Sequence, residues 1–399
     1  MRRVTAFAPG RVNIVGEHTD HSDGLALPFA IELGVTVTAT PLPGRVIEAH
    51  ALDLGERDSF ERTDPGEPST VAPGWRRFVR GAVEELARLR VRPPACRLEI
   101  TGSVPRDAGL SSSAALSVSL GMALGALAAD PRRPQGLELA ELCSRVESDW
   151  VGARTGLLDQ LAAIEGREGC ALRIDFRTLR GRPGATGVRG REPQAATHQP
   201  GATGVRGREP PAATHRPGAT GVRGREPPAA IAFVALDLRG HRLAVLPSGA
   251  GREHAASGYN ERREECERAL DLLGTGSLRD ADTVDWEALP EPYRRRVRHI
   301  LSENARVDAM VAALRAGDLD EAGLLLDASH RSLRDDFEVS VPAVERTRER
   351  WRAAGALGAR LMGGGFGGSV LALLPPGRSL PPGALAVEPS GAARILPAT

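Results

Sequence analysis

The segment PGRVNIVGEHTD, residues 9–20, sets an arginine, an asparagine, two carboxylates and a histidine around a short apolar turn close to a strand-like start. Val12, Ile14 and Val15 have the character of core anchors. Arg11, Asn13, Glu17, His18 and Asp20 supply donors and acceptors suited to gripping a polyhydroxylated ligand. A polar turn between two strands is the plain alternative, since short motifs also arise by chance.

Two glycine-rich runs lie further along. In VPRDAGLSSSAALSVSLGMALGAL, residues 104–127, Gly109 precedes three serines and then the apolar series Leu116, Leu120, Leu124 and Leu127, which reads as a loop opening directly into a helix. Small residues there let backbone N–H groups turn inward, and the positive helix end adds a dipole, so a triphosphate can be held without a dedicated lysine. The second run, MGGGFGGS at 362–369, leads into the strand-like VLALL. Its glycines allow positive φ and close backbone approach to a ligand, or simply a tight turn before a strand.

In this order and at these separations the three segments resemble the GHMP kinases. GRVNIVGEHTD followed by DGLALPFAI is similar to the galactokinase signature within that superfamily, and VPRDAGLSSSAA resembles its shared phosphate loop. The resemblance runs from Phe7 to the tail at 391–393 and leaves out one insertion. His21 and Ser22 stand where the family usually has Tyr-Asn. The resemblance implies an α+β, two-lobed GHMP kinase fold with an N-terminal lobe like ribosomal S5 domain 2, a ferredoxin-like C-terminal α+β lobe, and the active site in the cleft between them. The lobes are expected at residues 1–180 and 231–399, with an insertion at 181–230.

The resemblance also implies an activity, transfer of the γ-phosphoryl of ATP to the anomeric hydroxyl of galactose, and assigns residues to it. Asp159, in TGLLDQLAAIEG, matches the carboxylate held against the sugar hydroxyl, with Gly156 beside it; on the sequence alone a helix cap explains Asp159 equally well. Arg11 matches the arginine between that carboxylate and the transferring phosphate, and a surface salt bridge is its plain reading. Glu17, His18 and Asp20 match galactose-binding positions, and Tyr259 matches a tyrosine closing over the ring from the second lobe. His18 also suits a satisfied structural histidine. Gly109, Leu110, Ser111, Ser112, Ser113 and Ala114 match the ATP-binding loop, and Trp75 an aromatic lining the adenine pocket or else a core tryptophan. Ser113 and Glu147 match the ligands of Mg2+, which needs few protein oxygens because it keeps waters and nucleotide oxygens. By itself Glu147 reads as an exposed residue on a charged helix face. Another sugar 1-kinase of the family, acting on N-acetylgalactosamine, arabinose or galacturonate, and a sensor that binds ATP and galactose without turnover remain alternatives.

Composition agrees with a soluble enzyme of small molecules. The 399 residues can bury a large core, 41% of them are hydrophobic, and the formal net charge of +1 gives no nucleic-acid footprint. No apolar run approaches a membrane span and no signal-peptide core follows Met1, so a cytoplasmic protein, and a monomer, is expected. Cys96, Cys143, Cys170 and Cys266 are widely spaced, which argues against a zinc site or disulfide framework. All 52 basic residues are arginine, which excludes a lysine-dependent phosphate loop and leaves phosphate to backbone amides, helix dipole, metal and arginine.

A tandem repeat interrupts the chain. PGATGVRGREPQAATHQ at 183–199 returns at 200–216 with two substitutions and begins again at 217, a period of 17 residues. Each copy has one valine among Gly, Pro, Arg, Thr and Ala, too little to stack a solenoid core. Residues 180–229 therefore read as a flexible surface loop, or as a weakly basic segment for an acidic partner. CALRIDF and IAFVALDL on its flanks read as strands, residues 134–150 as one helix, and the runs from Tyr259 and Val307 as amphipathic helices of the second lobe.

Overall fold

The computed structural model describes residues 2–105, 108–181, 230–250 and 255–397. The repeat falls outside these residues, so the expectation placed on it is not tested by the structure.

The N-terminal lobe is built on strands β1 (Val4–Asn13), β3 (Pro28–Pro41), β4 (Val46–Ala51), β5 (Glu56–Glu61) and β6 (Cys96–Gly102), with β2 (Leu25–Ala26) set apart. Together with β13 (Arg394–Leu396) they form a six-stranded sheet of order β13-β1-β3-β6-β4-β5, antiparallel except for the β4–β6 pair. Helices α1 (Trp75–Arg88), α2 (Ser112–Leu127), α3 (Gly136–Arg145) and α4 (Leu158–Glu165) belong to the same lobe. Buried positions run round all sides of α2, from Ala114 and Ala115 through Leu120 to Leu127, so it lies in the core and needs no polar face. Gly121 permits this, because a Cβ there would meet Leu139 of α3 at 2.8 Å.

In the C-terminal lobe β9 (Arg242–Pro247), β10 (Gly358–Met362), β11 (Ser369–Leu374) and β12 (Leu385–Val387) form an antiparallel sheet of order β10-β11-β9-β12. In chain order this reads 4-1-3-2 from the β12 edge, the ferredoxin-like arrangement expected. Every residue of β10 and β11 is buried, the pattern of strands covered on both faces. Of α6 (Ala255–Leu273), α7 (Tyr293–Ala316), α8 (Leu319–Asp335) and α9 (Pro342–Ala353), all in the first crossover, α8 and α9 pack directly on β10 and β11, and Met362, Leu371 and Leu373 share a cluster with Val12 and Phe29 of the N-terminal lobe. Asp318 starts α8 by accepting from the Glu321 N–H at 3.0 Å, and Pro342 starts α9 at its first turn.

A third sheet joins β2, β7 (Cys170–Asp175) and β8 (Ile231–Ala235), with the short α5 (Phe176–Arg180) after β7. The expected lobe limits therefore do not coincide with the sheets: β8 pairs with β7, and β13 returns to β1. One apolar cluster spans both lobes, from Val12, Leu27 and Phe29 to Val307, Met310 and Leu371. The four cysteines are free.

The helix expected over 134–150 is shorter. α3 ends at Arg145 and Val146–Val151 widens into a π-turn that buries Glu147 and Trp150. Such turns re-aim side chains within a helix. Gly81 of α1 leaves room for Trp150, since a Cβ there would stand 2.8 Å from the indole.

Candidate active site

A cleft of about 400 Å³ lies between the lobes, walled by β1, the loop into α2, the segment before α4, Tyr259 of α6 and Gly363–Gly365 between β10 and β11. One wall starts at a break in the β1–β3 register between Pro9 and Arg11. A Cβ on Gly10 would stand 2.4 Å from the Leu110 carbonyl oxygen, so only glycine lets the phosphate loop lie on β1 here. The Arg11 N–H donates to that carbonyl at 3.1 Å. Its side chain, 6% exposed, donates through Nε to Asp159 Oδ1 at 2.7 Å and through Nη1 to the Gly109 carbonyl at 2.8 Å. Ser111 donates to the other Asp159 oxygen at 2.5 Å. Burial opposes the Arg11 charge, yet Asp159, Glu17 and Asp20 outweigh it and raise its pKa, so Arg11 stays cationic.

Asp159 occupies the first turn of α4, and its oxygens are engaged by Arg11 and Ser111, which answers the capping alternative. Ser111 precedes α2 in a left-handed conformation, φ 59°, and its hydroxyl makes no cap bond. That backbone turn carries the hydroxyl across to Asp159.

Glu147 is buried, and burial followed by the nearby charge of Asp159 pushes its pKa up to about 7, against hydrogen bonding from Thr155, Gln160 and Ser113. Thr155 Oγ1 donates to Oε2 at 2.8 Å. A buried carboxylate that lines the cleft beside Ser113 fits a hard divalent cation. Among the described residues no group of three or more His, Cys, Asp or Glu forms a metal cage, so such a cation would depend on nucleotide oxygens and water for its other ligands.

The opposite wall is the signature segment. His18 has φ 59°, is 4% exposed, and lies against Phe337 at 4.6 Å and Tyr259 at 5.1 Å between ring centroids. Burial, then His21, His299 and Arg360, hold its pKa well below the usual value, so it is neutral. Neither ring nitrogen makes a well-aligned hydrogen bond, although the Gly364 backbone acts on the ring against burial. Asp20 is pushed up to about 6 by burial and then by Asp159, against Arg263. A Cβ on Gly156 would fall 1.9 Å from Asp20 Oδ2, so Gly156 serves by leaving room for that carboxylate. Glu17 accepts from the Gly363 N–H at 2.8 Å and pairs with Arg360 at 3.2 Å, which ties this wall to the C-terminal glycine loop. Ser369 Oγ donates to the Ala108 carbonyl at 2.5 Å, tying that loop's far end to the phosphate loop.

All the residues expected at the site line this cleft except Asn13, which is fully buried, Ala114 and Trp75. Ala114 is buried inside α2. Trp75, expected at the nucleotide pocket, does not line this cleft: its indole N–H donates to Glu56 Oε2 at 2.7 Å, and Phe78, one turn on, lines it. The helical spacing of Trp75 and Phe78 held the signal, but the phase of α1 decides between them. His21 lies outside the cleft, with its ring perpendicular to Tyr259 at 6.4 Å. Thr155, Leu158 and Gly363–Gly365 also line the cleft, and of these only the glycine run was visible as a motif.

The GHMP kinases N terminal domain model matches residues 77–167 and the GHMP kinases C terminal model residues 310–390, on either side of this cleft. Fold and site define a GHMP kinase. The Galactokinase galactose-binding signature matches residues 2–41. A galactokinase of Mycobacterium bovis is 38% identical over 383 residues, 94% of this chain and 90% of the relative; one of Roseiflexus sp. is 36% identical over 381 residues, 93% and 83%. The chain belongs to the galactokinase family. The crystal structure of Lactococcus lactis galactokinase complexed with galactose is similar to it over 99% of this chain and 95% of that one, with a TM-score of 0.79 and 25% identity. A Methanococcus jannaschii mevalonate kinase, TM-score 0.61 and 15% identity over 98% of each chain, shares the fold. As a kinase of this family the protein works with ATP and a divalent metal. Among the described residues no helix is long and apolar enough to cross a membrane.

Proposed function

We propose that this cleft transfers the γ-phosphoryl of Mg-ATP to the anomeric hydroxyl of D-galactose in the cytoplasm, with Asp159 and Arg11 as the catalytic pair. The observation that carries the reading is Asp159, with Arg11 Nε at 2.7 Å on one oxygen and Ser111 at 2.5 Å on the other, between the phosphate loop and the signature segment. Phosphoryl transfer has a loose transition state, so orientation and charge neutralisation contribute more than base strength. Asp159 orients the hydroxyl and receives its proton, while Arg11 stabilises charge on the phosphoryl oxygens. The backbone amides of the loop into α2 hold the nucleotide phosphates, with Phe78 as an apolar neighbour. Ser113 and Glu147 would hold the Mg2+, which supplies charge neutralisation and Lewis-acid polarisation when bound.

His18, Asp20, Glu17 and Tyr259 face the sugar. A wrong epimer leaves such buried groups unpaired, and that penalty is the source of discrimination. An ADP-release assay over galactose, N-acetylgalactosamine, arabinose and galacturonate tests the reading. Galactose is expected to be the best acceptor, with turnover nearly lost in Asp159→Asn. An enzyme that ignores galactose and turns over another sugar, or that binds galactose without releasing ADP, would overturn it.

A further inference from the structure

Buried backbone groups need partners, and the segment from Asn13 to Leu25 has few of them in a regular ladder. Side chains from beyond residue 298 supply them. Arg360, 0% exposed, donates through Nη1 to the Asn13 and Ile14 carbonyls at 3.1 and 2.7 Å. Glu303 Oε1 accepts from the Gly16 N–H at 2.8 Å, and Asn304 Oδ1 from the Leu25 N–H at 2.7 Å. His299 Nε2 lies 3.1 Å from the Glu17 carbonyl oxygen, which can only accept, so Nε2 carries the ring proton.

These partners are themselves fixed. Glu303 is fully buried and accepts from Arg306 Nε at 2.6 Å and Ser329 Oγ at 2.7 Å. His299 has Ser332 Oγ at 2.9 Å on its other nitrogen. Phe337 packs on His299 at 4.5 Å and on His18 at 4.6 Å, so one ring seats both histidines. The peptide that His299 grips joins Glu17 to His18, whose φ of 59° is an uncommon conformation for a non-glycine residue. None of His299, Glu303, Asn304 or Arg360 lines the cleft.

We infer that His299, Glu303, Asn304 and Arg360 form a cradle in the C-terminal lobe that sets the backbone of the sugar-facing segment, with His299 and Glu303 as positioning residues for sugar recognition. The inference rests on the proposed reading of that segment as the sugar site. Because the phosphate loop has its own contacts, through Gly10, Arg11 and Leu110 on β1 and through Ser369 to the Ala108 carbonyl, and among the described residues hydrogen-bonds to none of the four cradle side chains, the cradle is expected to act on the sugar and leave the nucleotide alone.

The test is steady-state kinetics of the full-length enzyme with His299→Phe, which keeps a flat ring but cannot donate, and His299→Gln, which restores a donor. His299→Phe is expected to raise the galactose KM by about tenfold, the range of one lost buried hydrogen bond, with ATP KM and kcat within about threefold. His299→Gln should recover most of the loss. An unchanged galactose KM, a parallel rise in both KM values, or a folded His299→Gln enzyme no better than His299→Phe would overturn the cradle. If His299→Phe yields no soluble enzyme, Glu303→Gln decides: the same split supports the cradle, while no shift or equal shifts in the two KM values defeat it. A wild-type enzyme that ignores galactose defeats the functional reading, whereas an active wild type with an indifferent His299→Phe defeats the cradle alone.

Discussion

The two walls of the cleft are finished to different degrees. On the phosphoryl-transfer wall Arg11, Asp159, Ser111 and the Gly109 carbonyl close on one another through contacts of 2.5–2.8 Å. On the sugar wall the buried nitrogens of His18 make no well-aligned hydrogen bond, and Asp20 is pushed up to about 6 by burial and its acidic neighbours. Groups that act on developing charge are set before any ligand arrives, which is the economy of electrostatic preorganisation. Glu17 and Asp20 already accept from backbone N–H groups, at 2.8 Å from Gly363 and 3.1 Å from His21, whereas the His18 ring is held in place yet left to pair with the ligand, and a buried polar group left unpaired costs about 1–3 kcal/mol. Catalysis and recognition are thus separable along the cleft.

The sharpest way to break that separation is at the finished wall. Asp159→Asn keeps shape and burial, so it should lower kcat by about 10²–10⁴-fold, the usual contribution of a positioned base, while calorimetry still detects galactose and Mg-ATP binding. Arg11→Ala should fall in the same range, and the double variant should be little worse than either single one, because both act on one transfer event. Additive losses, or a large loss of sugar affinity in Asp159→Asn, would mean that the walls are not separate.

Glu147 sits at the nucleotide end and is expected to give the next largest effect. Its folded-state pKa of about 7 lies above the ordinary 4.5, so the folded chain keeps the proton longer than the unfolded one. The stability of the ligand-free protein from this group is therefore full below about pH 4.5 and lost as pH rises through 7. Glu147→Gln should stabilise the ligand-free enzyme by on the order of 3 kcal/mol at pH 8 and by nearly nothing at pH 4.5, seen as a Tm gap that opens with pH. The same change should weaken Mg2+ dependence by on the order of tenfold or more, because a hard cation needs the carboxylate charge. A Tm difference that stays flat across pH would remove the raised pKa from the account.

How much of this was legible beforehand follows the same division. Gly109 and the serines stand in a compact motif whose chemistry needs them adjacent, so the phosphate loop was readable from spacing, whereas Arg11 and Asp159 joined it through the resemblance. The two-lobed fold likewise came through the resemblance. The support of the sugar wall was not, because Glu303, His299 and Arg360 meet residues 13–17 only after folding, and nothing local in α7 or β10 marks them as partners. Glu147 reads as a solvated helix residue until the π-turn buries it. Trp75 was assigned to the nucleotide and bonds Glu56, because helix phase, which the motif alone does not fix, turns Phe78 inward. β8 and β13 cross the expected lobe limits because strand pairing ignores order along the chain.

Asp20 tests the unfinished wall by pH. Its pKa, pushed up to about 6, means that acidification below 6 removes the charge that a sugar hydroxyl donates to. Galactose affinity measured by calorimetry should fall by about tenfold between pH 7.5 and pH 5, one pH unit below that pKa corresponding to about one decade. Asp20→Asn should bind more weakly at pH 7.5 and lose this dependence. A wild-type affinity that is flat from pH 7.5 to 5 would show that Asp20 does not bind the sugar as a carboxylate, and the contrast between the walls would rest on His18 alone.

The smallest effect is expected where neither wall is touched. The Asp175 N–H already donates to the Ala230 carbonyl at 2.8 Å, and Ile174 pairs with Ile231, so β7 and β8 are joined across the repeat by their own ladder. The described chain stops at Gly181, one short helix beyond that hydrogen bond. Each 17-residue copy of PGATGVRGREP-type sequence brings a single valine to any core. Deleting residues 183–229 and bridging the gap with about six residues should leave kcat and both KM values within a few-fold. Closure entropy rises by about 0.6 kcal/mol per doubling of length, so a connection about eight times shorter should stabilise the fold by at most about 2 kcal/mol. Chemical denaturation and the ADP-release assay on the deletion variant measure both. A deletion that destabilises the protein, or that raises the galactose KM alone, would make the repeat a structural support of the sugar wall and end the claim that this wall is set by the C-terminal cradle.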